Sequence, residues 1–285
     1  MNVIRASHAG FCMGVALALH KLDTIVASRP GRKVATLGEI IHNPQVLEEY
    51  ARKGVRCLHA VAEAEGDMSV LIRAHGIPRD VEAGLRERCA SVEDATCPRV
   101  KNAQLAIAEA TASGRELLLY GEAEHPEVRG LISYAEGESH IFSSLNDLEA
   151  LLAGKTLTGR PLVLAAQTTQ DRLIFDEMHR RLADRFGASL TVLDTICDAT
   201  RERQEEAGEI AARVQAMVVA GGKSSGNTRR LAELARMRGV PTVLVETADE
   251  LDAAAFSGVR TVGLTAGAST PRYIIDEVES RLRLL

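Results

Sequence analysis

Residues 94–104 read DATCPRVKNAQ, and residues 194–204 read DTICDATRERQ. In each stretch a cysteine, Cys97 or Cys197, stands between a predicted strand and a predicted helix. A third cysteine, Cys12, lies in a comparable turn, GFCMG at 10–14. The recurrence predicts a repeated strand–turn–helix unit that carries a cysteine in its turn.

Outward from these stretches, short aliphatic runs alternate with Gly or polar turns and with helical periodicity. Helical patterns cover 171–186, 199–214, 227–238 and 271–283, among others. The predicted strands lie near 2–8, 34–38, 69–74, 91–95, 116–121, 161–166, 189–194, 216–221 and 261–265. Such alternation predicts an α/β fold with parallel sheets and right-handed crossovers.

Ligands of parallel sheets bind at the carboxyl ends of the strands, so the residues that follow the strands are the candidates for function. Nine such residues form three triplets of similar spacing: Cys12, His42 and His75; Cys97, His125 and Thr168; Cys197, Ser225 and Ser269. We therefore predict three similar units of roughly 90 residues, a normal size for a small domain. Their bounds are 1–95, 96–193 and 194–285, and their strand ends are expected to converge on a common centre.

The composition restricts the classes of partner. The chain has 285 residues, a net charge of −5, 3% aromatic residues and no Trp. Nucleic-acid binding is not expected, because it needs a basic face and often aromatic stacking. The N-terminus lacks a signal-peptide pattern, and no apolar run approaches the roughly 20 residues of a membrane span. We expect a soluble, cytoplasmic protein without a membrane partner.

The five cysteines differ in setting. Cys12, Cys97 and Cys197 stand at strand–helix turns, where helix amides stabilise thiolates, whereas Cys57 and Cys89 do not. Three thiolates could hold three irons of a four-iron cluster and leave the fourth iron open. A zinc site of three Cys and one His is the competing interpretation. The zinc interpretation is weaker, because nine strand ends are predicted to converge, and a single metal ion needs supporting residues from fewer strand ends.

Two helix starts offer donors for an anion. In 217–236, MVVAGGKSSGNTRRLAELAR, the candidates include Ser225 and Asn227, and in 263–278, GLTAGASTPRYIIDEV, the candidate is Ser269. The first stretch is not a P-loop, because Met217 stands where the motif needs Gly. Each start taken singly is typical of an N-cap. Two such starts, together with histidines after strands, favour a phosphate site.

The histidines His42, His75 and His125 occur in the contexts IIHNP, RAHGIP and EAEHPEV. Histidine can donate to a phosphate oxygen and can also transfer protons. Glu127 follows Pro126 in a helix start, where a carboxylate interacts favourably with the helix dipole. Our functional hypothesis is that Glu127 is a general acid in a closed pocket, hydrogen-bonded to Thr168.

Taken together, the motifs GFCMGV, GEIIHNPQV, RAHGIP, DATCPRV, HPEVRG, AQTTQ, DTICDAT, GGKSSGNTRRLAELA and TAGASTP are similar to those of the 4-hydroxy-3-methylbut-2-enyl diphosphate reductase family. The match runs in order from residue 10 to about 272 and so covers nearly the whole chain.

This resemblance implies a three-domain α/β trefoil with pseudo-threefold symmetry around a central 4Fe–4S cluster. The ligands it implies are Cys12, Cys97 and Cys197. The substrate-binding residues it implies are His42, His75, His125, Ser225, Gly226, Asn227 and Ser269. Glu127 would deliver a proton, and Thr168 would hold the substrate hydroxyl. The implied reaction is the two-electron, two-proton dehydroxylation of the allylic diphosphate, with ferredoxin or flavodoxin as electron donor.

Three positions depart from the family pattern: Leu17, Gln104 and Gly226. Leu17 and Gln104 lie on predicted helices outside the nine junctions, and Gly226 can offer only its backbone. The sequence leaves two alternative functions: a non-catalytic iron–sulfur sensor and a zinc-dependent phosphate-ester hydrolase. A non-catalytic iron–sulfur sensor would need an output surface, which the sequence does not show, and a zinc-dependent phosphate-ester hydrolase would use the thiols differently.

The cysteine pattern makes a direct prediction. Cys12→Ser, Cys97→Ser and Cys197→Ser should each lose bound iron and activity, because a four-iron cluster held by only two thiolates is poorly retained. Cys57→Ala and Cys89→Ala are the controls and should keep both. Iron content and turnover are measured after anaerobic purification, and full iron in any of the three serine variants contradicts the assignment.

Overall fold

A computed structural model describes residues 1–28, 31–154, 157 and 160–285. The strands are β1 (Asn2–Arg5), β2 (Val34–Leu37), β3 (Val55–Leu58), β4 (Ser69–Ile72), β5 (Ser91–Asp94), β6 (Glu116–Tyr120), β7 (Ser139–Phe142), β8 (Leu162–Ala166), β9 (Leu190–Val192), β10 (Ala216–Ala220), β11 (Thr242–Val245) and β12 (Thr261–Ala266). The α-helices are α1 (Met13–Ser28), α2 (Pro44–Arg52), α3 (Arg79–Arg88), α4 (Pro98–Thr111), α5 (Pro126–Ile132), α6 (Leu145–Gly154), α7 (Arg172–Phe186), α8 (Asp198–Ala211), α9 (Gly226–Met237) and α10 (Arg272–Leu284).

The strands of the described chain form three four-stranded sheets, and every strand pair is parallel. Their orders are β3-β2-β4-β5, β7-β6-β8-β9 and β11-β10-β12-β1. The predicted α/β class with parallel sheets is confirmed, and all nine predicted strands are present. Three further strands were not predicted: β3, β7 and β11, one edge strand of each sheet.

The sheets group the strands differently from the predicted units 1–95, 96–193 and 194–285. Strand β1, which precedes Cys12, pairs with β12 near the far end of the chain, and Val3 lies opposite Val262. Each cysteine follows an edge strand of its sheet: β1 for Cys12, β5 for Cys97 and β9 for Cys197. Spacing along the chain reveals the period of a repeat, but strand pairing decides where one repeat ends and the next begins.

The chain forms two compact units. The first contains Met1–Ala16, Ile41–Lys53 and Asp198–Leu285, and the second contains Leu17–Ile40 and Gly54–Cys197. The first unit holds the sheet with β10 and β12, whose core includes Val218, Leu264 and Val278. The second unit holds the other two sheets. No helix of the described residues is long and apolar enough to cross a membrane.

The central strands are buried on both faces, as expected for parallel sheets covered by helices. All residues of β8 and β10 are buried. The register then aligns the strand ends: Ala220 lies opposite Ala266, and Tyr120 lies opposite Ala166. Because neighbouring strands end at the same level, the turns that follow them emerge side by side at one edge of each sheet.

Candidate active site

Glu127 and Thr168 form a buried pair in the second unit. Glu127 lies in the first turn of α5, and Thr168 follows β8. The Thr168 backbone N–H donates to Glu127 Oε1 at 2.6 Å, and the Thr168 hydroxyl donates to Oε2 at 3.0 Å. The exposed fractions of Glu127 and Thr168 are only 1% and 4%. The hydrogen bond predicted between these residues is therefore present.

Burial changes the ionisation of this carboxyl. Desolvation raises the pKa of Glu127 from 4.5 to about 7, although the two hydrogen bonds from Thr168 oppose the rise. Burial dominates because the carboxylate loses more solvation free energy on leaving water than the two hydrogen bonds from Thr168 restore. A group with a pKa near 7 can both hold and release a proton at neutral pH, as a general acid requires.

His125 caps the same helix. Its Nδ1 accepts a hydrogen bond from the Glu127 backbone N–H at 3.1 Å. A neutral imidazole that accepts at Nδ1 carries its proton on Nε2, so the cap sets the tautomer. The rings of His125 and His75 meet edge to face, with centroids 5.4 Å apart. The second unit thus brings together two of the three predicted histidines.

Two buried glutamines that are not among the predicted site residues support these turns. Gln167, fully buried, accepts at Oε1 from the Glu122 N–H at 3.1 Å and so joins the turns after β6 and β8. Gln104, 1% exposed, lies under the turn that follows His75, since a Cβ on Gly76 would meet Gln104 Nε2 at 2.8 Å. The sequence shows both glutamines but gives no sign of these contacts, because each one depends on turns that come together only in the folded chain.

In the first unit, α9 begins with a set of polar side chains. Ser225 is its N-cap, and Ser225 Oγ accepts from the Thr228 N–H at 3.4 Å. Asn227 Nδ2 and Thr228 Oγ1 are buried and have no hydrogen-bond partner among the residues that the structure describes. Buried polar groups are normally satisfied, so unpaired donors at a helix start indicate a missing acceptor, such as an anion.

His42 and Ser269 belong to the same unit and are held close together. Ser269 Oγ donates to the His42 carbonyl at 3.0 Å. A Cβ on Gly222 would come within 2.6 Å of the same carbonyl oxygen, so the turn before α9 can approach only because residue 222 is glycine. His42, Ser269 and the start of α9 are therefore neighbours, as predicted.

All three candidate cysteines make the same backbone contact. The N–H groups of Cys12, Cys97 and Cys197 donate to the carbonyls of Ala268, Ala74 and Thr168, respectively, at 3.1, 2.9 and 3.0 Å. Each acceptor lies just beyond the strand next to the cysteine's own. In addition, the Val15 N–H points to Cys12 Sγ at 3.5 Å. The predicted repeat is thus visible in the backbone geometry of each cysteine turn.

The other two cysteines lie in different settings. Cys57 is in β3, and Cys89 ends α3. Desolvation raises the pKa of both thiols, which favours the neutral thiol over the thiolate that binds metal.

Of the twelve predicted site residues, the first unit contains Cys12, His42, Ser225, Gly226, Asn227 and Ser269. The second contains His75, Cys97, His125, Glu127, Thr168 and Cys197. In the first unit, Cys12, Ser225 and Ser269 follow the neighbouring strands β1, β10 and β12, whereas His42 follows β2 of another sheet. In the second unit, His75 and Cys97 follow neighbouring strands of one sheet, and His125, Thr168 and Cys197 follow neighbouring strands of the other.

Comparison with known proteins identifies the family. The model of the LytB protein family matches residues 3–283. The chain belongs to the LytB family. A LytB relative from Desulfovibrio desulfuricans, named 4-hydroxy-3-methylbut-2-enyl diphosphate reductase, is 54% identical over 290 residues, with 100% of both chains covered. A relative of the same name from Citrifermentans bemidjiense is 42% identical, with 99% of this chain and 97% of the relative covered.

Solved LytB structures agree. The structure titled (E)-4-hydroxy-3-methyl-but-2-enyl diphosphate reductase, the terminal enzyme of the non-mevalonate pathway, is 39% identical and has a TM-score of 0.68, with 100% of both chains covered. The structure of the reductase from Plasmodium falciparum is 24% identical and has a TM-score of 0.90, and the match covers 100% of this chain and 87% of that chain. At this identity the likeness supports the fold alone. The family resemblance, the fold class and the assignment to the oxidoreductases are confirmed.

The buried carboxyl of this LytB chain leads to a prediction about stability. As pH rises from about 4.5 to about 7, Glu127 ionises in the unfolded chain but stays protonated in the folded chain. The folded state therefore loses stability over this interval, by roughly 3 kcal/mol. The glutamine of Glu127→Gln cannot ionise, so the free energy of unfolding of this variant should not show the same decrease between about pH 4.5 and about pH 7. Urea unfolding of the wild type and the variant at pH 5 and pH 7.5, at equal iron content, measures the difference. Parallel pH profiles would contradict the raised pKa.

Proposed function

We propose that this chain reduces 4-hydroxy-3-methylbut-2-enyl diphosphate to isopentenyl and dimethylallyl diphosphates. The bond between the terminal carbon and its hydroxyl oxygen breaks, two electrons and two protons enter, and the oxygen leaves as water. The names of the full-length relatives support the substrate. The single observation that carries the mechanism is the buried Glu127–Thr168 pair, because it provides a proton source that is active near neutral pH.

We propose Cys12, Cys97 and Cys197 as ligands of a 4Fe–4S cluster. The donor set fits, because all three thiols are half-buried at helix starts. The N–H group of each cysteine also donates to the backbone carbonyl just beyond the adjacent strand. When bound on three thiolates, such a cluster supplies electrons and one iron without a protein ligand. Ferredoxin or flavodoxin is the proposed electron donor, and the cytoplasm is the proposed compartment, since free thiols persist in a reducing environment.

The diphosphate is assigned to His42, His75, His125, Ser225, Gly226, Asn227 and Ser269. In the first unit, the unpaired Asn227 amide and the first N–H groups of α9 are suitable donors for phosphate oxygens. In the second unit, the cap at His125 Nδ1 leaves the proton on Nε2, where it can be donated to the ligand. Gly226 contributes only its backbone N–H. Uncharged donors and helix starts suit an anion in a chain whose net charge is −5.

Proton delivery is assigned to Glu127 through Thr168. While Glu127 is ionised, the Thr168 hydroxyl donates to Oε2 at 3.0 Å. When Glu127 takes up a proton on Oε2, this hydrogen bond can reverse, and the Thr168 hydroxyl becomes free to donate to the substrate's hydroxyl. The Thr168 N–H remains on Oε1 in both states. The pair can thus carry a proton towards the leaving oxygen without moving the backbone.

The substrate site predicts the effect of removing single donors. Asn227→Ala and Ser269→Ala should each weaken diphosphate binding by about 1–3 kcal/mol, the cost of losing a hydrogen bond to a charged group. Ser224→Ala is the matched control, since Ser224 lies beside the N-cap of α9 but is exposed. Anaerobic calorimetry measures the dissociation constant. Unchanged binding in both site variants would remove α9 and the turn after β12 from the site.

Replacement of the proposed acid separates chemistry from binding. Glu127→Gln keeps the shape of the side chain but cannot release a proton, so kcat should fall by about 10²-fold or more with little change in substrate affinity. Glu124→Gln, an exposed neighbour paired with Arg129, is the control. Turnover is measured anaerobically with a chemical reductant at equal iron content. A near-normal kcat for Glu127→Gln would exclude the proton-donor role.

The same preparation tests the proposed function itself. Wild-type protein should be brown, contain iron and sulfide, and convert the diphosphate only when a reductant is present. Zinc in place of iron, together with hydrolysis of phosphate esters without reductant, would indicate a hydrolase. A cluster without turnover of the diphosphate would indicate a sensor.

A further inference from the structure

Arg203, on α8, is a buried arginine that the proposed mechanism does not use. Its exposed fraction is 6%. Its Nη2 donates to the Gly10 carbonyl at 2.8 Å, and its Nη1 donates to the Ala199 carbonyl at 2.9 Å. Burying a guanidinium costs free energy unless its N–H groups find acceptors, so these two carbonyls are part of what keeps it in place.

The two acceptors lie close in the chain to two cysteines. Gly10 is two residues before Cys12, and Ala199 is two residues after Cys197. Gly10 adopts a φ of +110°, which side-chain-bearing residues rarely adopt. The carbonyl that Arg203 holds is therefore at the point where the chain bends sharply before Cys12.

A second side chain of α8 holds the beginning of the same turn. Glu206 accepts from the Ser7 N–H at 2.7 Å and from the His8 N–H at 3.0 Å. Although partial burial opposes it, the hydrogen bonds from His8 and Ser7 lower the pKa of Glu206, so this residue stays ionised. Helix α8 thus holds the turn between β1 and α1 at both ends. Glu206 accepts from the N–H groups of Ser7 and His8, and Arg203 donates to the Gly10 carbonyl.

The repeat allows an internal comparison. Arg203 stands six residues after Cys197, and the residues six after Cys12 and Cys97 are Ala18 and Ala103. The alanine side chain has no hydrogen-bond donor, so only this repeat places a guanidinium at the position. A packing role that all repeats share does not explain an arginine here.

We propose that Arg203 is a positioning residue for Cys12: its guanidinium fixes the turn that presents this thiolate, and its positive charge favours the reduced form of the bound cluster. The inference rests on the proposed function, since Cys12 must be a cluster ligand. Groups that orient metal ligands alter metal affinity, typically by 10- to 100-fold. Net charge near a cluster contributes to its reduction potential.

Two substitutions separate the geometric effect from the charge. Arg203→Lys keeps the charge, but a single ammonium cannot hold two carbonyls as a planar guanidinium does. Arg203→Met removes both the charge and the donors. Arg201→Met is the matched control, because Arg201 is on the same helix but its side chain is 43% exposed and paired with Asp198 and Glu205.

The experiment uses the cluster-loaded protein. We would measure the rate of iron loss to a chelator, the electron paramagnetic resonance spectrum of the reduced cluster, and its midpoint potential. Iron loss should be faster by roughly 10- to 100-fold in both Arg203 variants and unchanged in Arg201→Met. The midpoint potential should become more negative in Arg203→Met and stay near the wild-type value in Arg203→Lys.

Iron loss at the wild-type rate in Arg203→Lys would overturn the positioning role, and this variant decides the question if Arg203→Met does not fold. Equal acceleration in Arg201→Met would also overturn it, since the effect would then belong to α8 as a whole. An unchanged potential in a folded Arg203→Met would overturn the role of the charge. Wild-type protein that binds no cluster would instead overturn the proposed function, and this outcome is seen before any variant is compared.

Discussion

Each cysteine turn is tied to the neighbouring strand by one backbone hydrogen bond. The N–H groups of Cys12, Cys97 and Cys197 donate to carbonyls just beyond the adjacent strands. These bonds extend the parallel ladders past the ends of the strands. A cysteine therefore cannot move unless the neighbouring turn that accepts its hydrogen bond moves with it. The acceptor is Thr168 itself, or it directly precedes His75 or Ser269. Within each sheet, the proposed cluster ligand and a proposed substrate contact therefore share one rigid backbone framework.

The balance between burial and hydrogen bonding decides the ionisation of the carboxyl groups near these turns. Glu127 accepts two hydrogen bonds from Thr168, yet its pKa rises to about 7 because it is fully buried. The side chain of Glu206 retains 20% exposure and accepts from Ser7 and His8, and its pKa falls. The two glutamates differ in how much water they keep, and this difference accounts for the opposite directions of their pKa shifts.

Much of the fold could be predicted from local pattern. Aliphatic runs and helical periodicity located nine strands and the helices near 171–186, 199–214, 227–238 and 271–283. The missed strands β3, β7 and β11 are edge strands that no candidate site residue follows, so an inventory of polar strand ends could not find them. Gln104 and Gln167 were not placed in the site, because their role depends on turns that only the folded chain brings beside them.

The grouping of the repeats shows the same limit. The period of the cysteines is readable along the chain, but β1 pairs with β12 and so joins the last sheet. Cys12 consequently belongs with Ser225 and Ser269, whereas the spacing along the chain groups it with His42 and His75. Strand pairing depends on residues far apart in sequence, which no local signal specifies.

The sequence by itself determined the alternation of strands and helices, the nine residues that follow the strands, and the family, because turn chemistry and periodicity are properties of contiguous residues. The tertiary structure alone decided which strands share a sheet, how deeply Glu127 is buried, and that Arg203 reaches the Gly10 carbonyl. These features arise from contacts between distant segments. Burial and hydrogen bonding, which set the pKa of Glu127 and the hold on the Cys12 turn, exist only once those segments have met.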